Sequence, residues 1–168
     1  MHTANAPVAY LLIGLTGSGK TTFARRLEAE GLVRLSVDEE MFARNGRYGV
    51  DYPDHEYFDR ERPVVQDIQQ RLIETIQAGK SVVLDYGLWR RAEREAYKKL
   101  VEEAGGKWRL IYLKVDKAEL LRRLGERNLR TDANALAVTL EMLDEFYARF
   151  DEPFGEGEEI LAPDSEDA

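Results

Sequence analysis

The stretch GLTGSGKTT, Gly14–Thr22, decides the architecture of the chain. An apolar run leads into it and a helical pattern follows it. Four of its residues fit the pattern G-x-x-x-x-G-K-[ST]: Gly14, Gly19, Lys20 and Thr21. Glycines permit backbone conformations that turn successive N–H groups inward, where they can surround phosphate oxygens. The stretch therefore predicts a loop that holds a nucleoside triphosphate.

Each residue type in this loop has a chemical reason to be there. Lys20 can reach the β and γ phosphates, and Thr21 can offer its hydroxyl to Mg²⁺. The helix that follows adds its positive N-terminal end. The residues predicted to bind the nucleotide here are Gly14, Thr16, Gly17, Ser18, Gly19, Lys20, Thr21 and Thr22.

Composition excludes several other classes of site. The 168 residues suit a single domain over 1–168, and 43% hydrophobic content can form a core. The absence of cysteine excludes disulfides, thiolate metal sites and a cysteine nucleophile, and two histidines leave little room for a Ser-His-Asp triad. Residues 1–7 are expected to be a flexible N-terminus without signal-peptide character. No run is long enough to span a bilayer, so we expect a cytoplasmic protein.

The net charge of −8 is unevenly distributed. The predicted acidic tail, 151–168, holds eight acidic residues and no basic one, so the rest of the chain has 24 of each sign. A long nucleic-acid footprint needs a basic surface stripe. Nucleic acid is therefore a possible partner that the composition does not favour.

Strand and helix patterns alternate along the chain. Apolar runs predict strands at 8–14, 32–36, 80–85, 108–115 and 158–163. Helical patterns cover 20–30, 59–77, 89–103, 116–130 and 138–150, with one or two further turns over 37–45. Helices between strands are typical of βαβ units. We predict an α/β fold with a parallel sheet of about five strands and helices on both faces, a three-layer α/β/α arrangement.

Two aspartates follow predicted strands, at the sheet edge where ligands bind in such folds. Asp38 lies just past the second strand, which we expect to neighbour the first. Its carboxylate could activate or orient an attacking hydroxyl, or it could be the N-cap of the next helix. Asp85 ends the strand SVVLD; it could hold a water on Mg²⁺, contact an acceptor, or cap the following turn. Asp116 we expect to be only a helix cap.

A helix in the predicted lid region, 116–137, carries arginines on one face. They are Arg123, Arg127 and Arg130. These guanidinium groups could close over a triphosphate and neutralise charge in the transition state. The other interpretation is a solvated basic face paired with Glu119 and Glu126.

The segment NGRYGVDYPDHEYF, 45–58, is long for a loop and rich in tyrosine and acid. Long loops in compact domains are often functional. It could surround a cationic or polyhydroxylated acceptor, or be a polar loop with no partner. Its candidate contacts are Asp51, Asp54, His55 and Glu56. Arg91 and Arg94 could contact an anion or be ordinary surface charge.

Together these motifs resemble the small P-loop kinase group, which includes zeta-toxin-like kinases, chloramphenicol phosphotransferase, gluconate-type kinases and the 5′-kinase domain of polynucleotide kinase. The resemblance runs from GLTGSGKTT through LSVDEEMF, VVLDYGLWRRAER and LLRRLGERNLR to EMLDEFYARFDEP. The later segments are similar to a bacterial AAA-type subgroup described as ATP-binding or predicted kinase proteins. The resemblance implies a P-loop NTPase fold of nucleoside-kinase-like type with a helical arginine lid, and ATP and Mg²⁺ as cofactors.

The resemblance also implies roles for individual residues. Asp38 matches the acid that activates the acceptor, Arg123 and Arg127 match the lid arginines, and Asp85 matches the acid after strand three. With Lys20, these implied roles give the catalytic set Lys20, Asp38, Arg123 and Arg127, and the metal set Thr21 and Asp85. Arg130 joins the nucleotide contacts.

The sequence leaves three candidate functions for this protein. The first is transfer of the ATP γ-phosphate to a small-molecule hydroxyl acceptor. The second is 5′-hydroxyl polynucleotide kinase, although Met41 and Phe42 stand where such kinases commonly have an arginine. The third is a nucleotide-dependent switch or binding module with slow ATP hydrolysis; the chain has no N-K-x-D motif of the kind that specifies the base in GTPase-type switches.

Overall fold

A computed structural model describes residues 6–15, 17–127 and 140–161, without the side chains of Glu126, Arg127, Leu140 and Met142. The strands are β1 (Val8–Ile13), β2 (Val33–Ser36), β3 (Val82–Asp85), β4 (Lys107–Leu113) and β5 (Glu158–Leu161). The helices are α1 (Lys20–Ala29), α2 (Val37–Asn45), α3 (Tyr57–Gln77), α4 (Arg91–Glu103), α5 (Lys117–Arg127) and α6 (Leu140–Arg149). Asp54–Glu56 forms a short 3₁₀ turn before α3. No described helix combines the length and apolar character needed to cross a membrane.

Some predictions lie outside the described residues. They are the roles given to Thr16 and Arg130, the lid region from 128 to 137, and most of the N-terminal stretch and the last part of the acidic tail. The side chain of Arg127 also lies outside them.

The five strands form one parallel sheet in the order β2-β3-β1-β4-β5. The predicted α/β class with about five parallel strands is confirmed. The expectation that β2 neighbours β1 is wrong, because β3 lies between them and β2 is an edge strand. Ser36 pairs in register with Asp85, so the end of β2 meets the end of β3. This pairing brings the start of α2 beside Asp85.

Helices cover both faces of the sheet. On one face α3 contributes a stripe of buried side chains three to four residues apart: Val64, Ile68, Leu72 and Ile76. On the other face Ala24 of α1 packs with Leu12 and Val83. Because each fully buried aliphatic side chain contributes about 1.5–3 kcal/mol, these two layers account for much of the stability.

The segment 151–161 packs on the body of the protein through ion pairs. Glu156 accepts hydrogen bonds from Arg94 at 2.8 and 2.9 Å, and its backbone oxygen accepts one from Lys98 at 2.6 Å. Arg94 is 0% exposed and also donates to the backbone oxygens of Leu88 and Asp151. The sequence suggested either an anion contact or surface charge for Arg94, and both are wrong. Arg94 instead joins α4 to the segment that carries β5.

Candidate active site

The loop between β1 and α1 needs glycine for two separate reasons. Gly17 and Gly19 have φ values of 88° and 98°, in the left-handed region that side chains with a Cβ rarely adopt. Gly14 is required by space, because a Cβ there would lie 2.3 Å from the Ser18 hydroxyl oxygen. Gly17 and Gly19 therefore meet a backbone requirement, and Gly14 lies in a crowded position.

The polar groups of this loop fit an anionic ligand. The Lys20 ammonium donates to the backbone oxygens of Gly14 and Leu15 at 3.0 and 3.2 Å, which holds it against the loop. The Ser18 hydroxyl is buried and has no hydrogen-bond partner among the described residues. Helix α1 begins after Gly19, which provides no side-chain cap for its first N–H groups. A phosphate group in the loop would satisfy these donors.

Thr21 and Asp85 join α1 to the end of β3. The Thr21 hydroxyl donates to Asp85 Oδ2 at 3.0 Å, and Asp85 is only 5% exposed. Of the functions open to Asp85, capping the following turn is not seen in the described contacts. The carboxylate lies instead beside the hydroxyl that the motif assigns to Mg²⁺. Its role toward a metal stays a prediction.

These residues fit Mg²⁺ by the chemistry of their donor atoms. The described residues contain no group of three or more His, Cys, Asp or Glu side chains that could hold a metal by themselves. Mg²⁺ commonly takes one or two protein ligands together with water and substrate phosphates. A hydroxyl and one carboxylate beside a phosphate loop match that requirement.

Arg34 is a site residue that the sequence analysis missed. It donates to Asp85 Oδ2 through Nε at 3.3 Å and Nη2 at 2.8 Å, and it forms an ion pair with Glu39. Its side chain is 7% exposed. Burial alone would lower the pKa of Arg34, but the contacts with Glu39 and Asp85 outweigh burial and raise it. An arginine inside the short strand VRLS was the available signal, because a buried charge needs a partner.

Helix α5 lies against the phosphate loop. Leu120 and Leu124 pack next to Gly17, and Arg123 Nη1 donates to the Gly17 backbone oxygen at 3.2 Å. Arg123 also donates to Glu119 at 2.8 Å. Hydrogen bonds from Arg122 and Arg123 lower the pKa of Glu119 to about 2. Arg123 thus pairs with Glu119, as the alternative of a basic face expected, but its side chain is only 11% exposed. Its role as a lid residue stays a prediction.

The ends of the nearby helices are capped by specific side chains. Asp116 accepts a hydrogen bond from the backbone N–H of Glu119 at 2.9 Å, as expected for a cap of α5. At α2 the cap is Ser36, whose hydroxyl accepts from the Glu39 N–H at 3.2 Å. The alternative role of Asp38 as N-cap is therefore wrong. Asp38 lies in the first turn of α2 with its side chain exposed.

A group of tyrosines and carboxylates shares the electrostatic environment of Asp38. The charge of Asp38 raises the pKa of side chains on α3 and after β3, namely Tyr57, Glu61 and Tyr86. Burial is the largest cause for each of them. For Glu61, burial and the charges of Asp38 and Glu93 raise the pKa to about 7, while the nearby Tyr57 hydroxyl acts in the opposite direction. Glu61 was not singled out from the sequence, where it belongs to a charged helix start.

The segment 45–58 uses several of its polar side chains internally. Asp51 accepts from the Arg47 N–H at 2.7 Å, and Glu56 accepts from Arg60 at 2.8 Å. His55 is 78% exposed on the 3₁₀ turn. Asp51 and Glu56 thus hold the local structure, and the acceptor role suggested for this segment stays a prediction. Within the segment, Tyr48 packs edge-on against Tyr57, with their ring centroids 5.5 Å apart.

A glycine-rich loop between β1 and α1, with Thr21 and Asp85 paired across the sheet edge, defines a P-loop protein of kinase-like α/β fold. The chain belongs to the AAA domain family, whose model matches residues 10–153. No curated protein sequence matches the chain.

Solved structures share this fold at low sequence identity. A candidate kinase from Chloroflexus aurantiacus J-10-fl aligns with a TM-score of 0.72 and 20% identity over 95% of this chain and 86% of its own. The APS kinase CysC of Mycobacterium tuberculosis, solved with AMPPNP and APS, aligns at 0.63 and 18% identity over 96% of this chain and 91% of its own. A chain of the Pnkp1/Rnl/Hen1 RNA repair complex aligns at 0.63 and 18% identity over 89% of this chain and 48% of its own. These likenesses show the P-loop kinase-like fold.

Proposed function

We propose that this protein is an ATP-dependent phosphotransferase that moves the γ-phosphate of ATP to a hydroxyl group of a small molecule. The observation that carries the proposal is the hydrogen bond from Thr21 to Asp85 beside the glycine-rich loop. It brings a hydroxyl and a carboxylate together next to a loop whose donors suit phosphate oxygens. The family membership and the kinase-like fold agree with it.

The loop residues would bind the triphosphate of ATP. The backbone N–H groups of Gly17–Thr21 and the Lys20 ammonium supply the positive partners for its oxygens. Arg123, already in contact with Gly17, would lie next to the same phosphates. Thr21 directly, and Asp85 through water, would hold Mg²⁺, which supplies charge neutralisation at the β and γ phosphates when bound.

Asp38 would act on the acceptor. In the transfer, an acceptor oxygen forms a bond to the γ-phosphorus while the bond from that phosphorus to the β-γ bridging oxygen breaks, and ADP leaves. The proton of the acceptor hydroxyl passes to the Asp38 carboxylate. The location of Asp38 supports this role, because Asp38 lies in the first turn of α2, beside the register pair of Ser36 and Asp85.

The surroundings of Asp38 favour a small acceptor over a polynucleotide. The side chains that share its environment include tyrosine hydroxyls and the Glu61 carboxyl, which can hydrogen-bond the hydroxyl groups of a small molecule. The nearest arginine along α2, Arg44, forms ion pairs with Asp67 at 2.8 Å and Glu40 at 3.9 Å. Because Arg44 is already paired with two carboxylates, it is poorly suited to bind the phosphate of a nucleic acid.

The proposal is tested by incubating the protein with γ-labelled MgATP and a pool of sugars, nucleosides, amino alcohols, antibiotics and a 5′-hydroxyl oligonucleotide. We expect the label in one small-molecule class, identified by mass. Asp38→Asn should abolish transfer, and Asp59→Asn, an exposed aspartate of α3 that pairs with Arg62, should not. Label on the oligonucleotide alone would replace the small-molecule acceptor by a nucleic acid. Label released only to water, equally with Asp38→Asn, would overturn the kinase proposal.

A further inference from the structure

Arg34 contacts both halves of the candidate site: Asp85, on the nucleotide side, and Glu39, next to Asp38. Arg34 lies on β2, in register with Val83 of β3, two residues before the pair of Ser36 and Asp85. Side chains two residues apart on a strand share one face of the sheet, so Arg34 lies on the face of Ser36 and of its partner Asp85. Val83 is also on this face and packs with Ala24 of α1, so Arg34 and Asp85 face the layer that contains α1. Thr21, on α1, meets Asp85 on that face.

All the described donors to Asp85 converge on one oxygen. Oδ2 accepts from Thr21 at 3.0 Å and from both Nε and Nη2 of Arg34. No described residue donates to Oδ1. Because Arg34 donates two N–H groups to the oxygen that Thr21 also meets, it helps to hold the Asp85 carboxylate against Thr21.

The same guanidinium reaches the start of α2. Arg34 forms an ion pair with Glu39, whose own N–H is held by the Ser36 cap. Glu39 directly follows Asp38 in the first turn of α2. A continuous set of polar contacts therefore runs from Thr21 through Asp85 and Arg34 to Glu39.

We propose that Arg34 is a positioning residue that couples occupation of the phosphate loop to the placement of α2, and hence of Asp38. Resting on the proposed function, this inference adds that the nucleotide half of the site and the acceptor half respond to each other. Asp85 is the first residue that Arg34 orients and Glu39 is the second. Neither contact requires Arg34 to touch substrate.

The experiment uses Mg-AMPPNP as the probe and measures two quantities on the full chain. The first is the dissociation constant of AMPPNP with and without Mg²⁺. The second is amide hydrogen exchange in α2. The variants are Arg34→Lys, which keeps the charge and loses the planar guanidinium, and Glu39→Gln, which removes the ion pair to α2 and leaves Arg34 and Asp85 unchanged. Arg109→Lys is the control, since Arg109 also donates to a carboxylate, that of Glu159, through Nε and Nη2, and it lies away from the site.

We expect Mg-AMPPNP to slow exchange in α2 of the native protein and of the Arg109 variant. Glu39→Gln should lose that protection while keeping its affinity for Mg-AMPPNP. Arg34→Lys should lose it too, and should also lose about tenfold of the affinity gained from Mg²⁺, the usual effect of removing a residue that orients a metal ligand.

Three results would overturn the inference. Full α2 protection in Glu39→Gln would show that the coupling does not depend on the ion pair between Arg34 and Glu39. An unchanged Mg²⁺ effect in Arg34→Lys would show that Arg34 does not orient Asp85. Native protein that binds Mg-AMPPNP without protecting α2 would refute the coupling alone, whereas native protein that binds no nucleotide would refute the proposed function with it.

Discussion

The Thr21 hydroxyl donates a hydrogen bond to Asp85 at 3.0 Å, across from α1 to the end of β3. The two residues are 64 positions apart in the chain, and they meet because β1 pairs with β3 and α1 packs on the sheet. Thr21 follows the phosphate loop and Asp85 ends the strand next to β1. The contact therefore marks where a metal ion and a triphosphate would meet the protein.

Removing the Thr21 hydroxyl should weaken metal-dependent nucleotide binding. Thr21→Val keeps the shape of the side chain and removes the group offered to Mg²⁺. We expect the affinity for MgATP to fall roughly 10- to 100-fold, and the affinity for ATP in EDTA to change much less. Isothermal titration calorimetry measures both. Thr75→Val, a surface threonine of α3, is the control, and equal losses in both conditions for Thr21→Val would contradict the assignment.

A methyl group at Gly14 should damage the loop. Its Cβ would lie 2.3 Å from the Ser18 hydroxyl oxygen and 3.0 Å from the Ser18 Cβ, so Ser18, whose hydroxyl belongs to the proposed phosphate site, must move. Gly14→Ala should therefore lose nucleotide binding, as measured by titration with AMPPNP. A Cβ at Gly125 in α5 would meet no described atom within 4 Å, and Gly125→Ala should gain up to about 1 kcal/mol of stability. Native affinity in Gly14→Ala would refute the assigned loop geometry.

The buried pair of Arg94 and Glu156 should be costly to break. Arg94 is 0% exposed and holds Glu156 through two hydrogen bonds. Glu156→Gln should lower the free energy of unfolding by about 3–5 kcal/mol, because it leaves an uncompensated buried charge. Urea denaturation followed by circular dichroism measures this.

The exposed pair of Arg109 and Glu159 is the natural comparison for the buried one. It has similar two-pronged geometry, and both side chains are 48% exposed. Glu159→Gln should cost no more than about 1 kcal/mol, since solvent screens the charges. Equal costs for the two glutamine variants would show that burial does not set the strength of these pairs.

Glu61 should make stability fall as the pH rises. Its pKa in the folded protein is raised to about 7 from an ordinary 4.5, so between these values the folded state keeps a proton that the unfolded chain releases. Stability is then greatest below pH 4.5 with respect to this group and is lost through pH 7. Allowing for its partial exposure, we expect a loss of about 2 kcal/mol.

Thermal melts of native protein and Glu61→Gln from pH 5 to pH 8 test this dependence. The difference in melting temperature between the two proteins should change across that range in favour of Glu61→Gln at high pH. Parallel curves would show that Glu61 titrates as it does in the unfolded chain.

The sequence was sufficient for the parts of the site that depend on local pattern. The phosphate loop, the strands that precede Asp38 and Asp85, and the cap at Asp116 follow from motif and periodicity. The cap at Ser36 was also readable, because Ser36-Val37-Asp38-Glu39 has the S-x-x-E spacing of a helix start. In the structure Glu39 turns to Arg34, so only the serine half of that pattern forms part of the cap.

The parts that failed depend on contacts between distant segments. Strand order in a parallel sheet is not contained in the pattern of any one strand, so the place of β2 at the edge could not be deduced. The partner of Arg94 could not be deduced for the same reason, because it belongs to a distant segment. Arg94 lies on the buried stripe of α4 with Tyr97 and Val101, which signals a buried charge but not that its partner is Glu156, 62 residues away.

The most direct test of the phosphotransfer account is the fate of the γ-phosphate in the presence of the acceptor found by the screen. With native protein, we predict that most of the label lost from ATP appears on the acceptor and little in free phosphate. With Asp38→Asn, acceptor labelling should fall by roughly 100-fold or more while binding of MgATP stays native, because the proton of the hydroxyl has lost its acceptor. If Asp38→Asn labels the acceptor at the native rate, or if native protein labels only water, the account is contradicted.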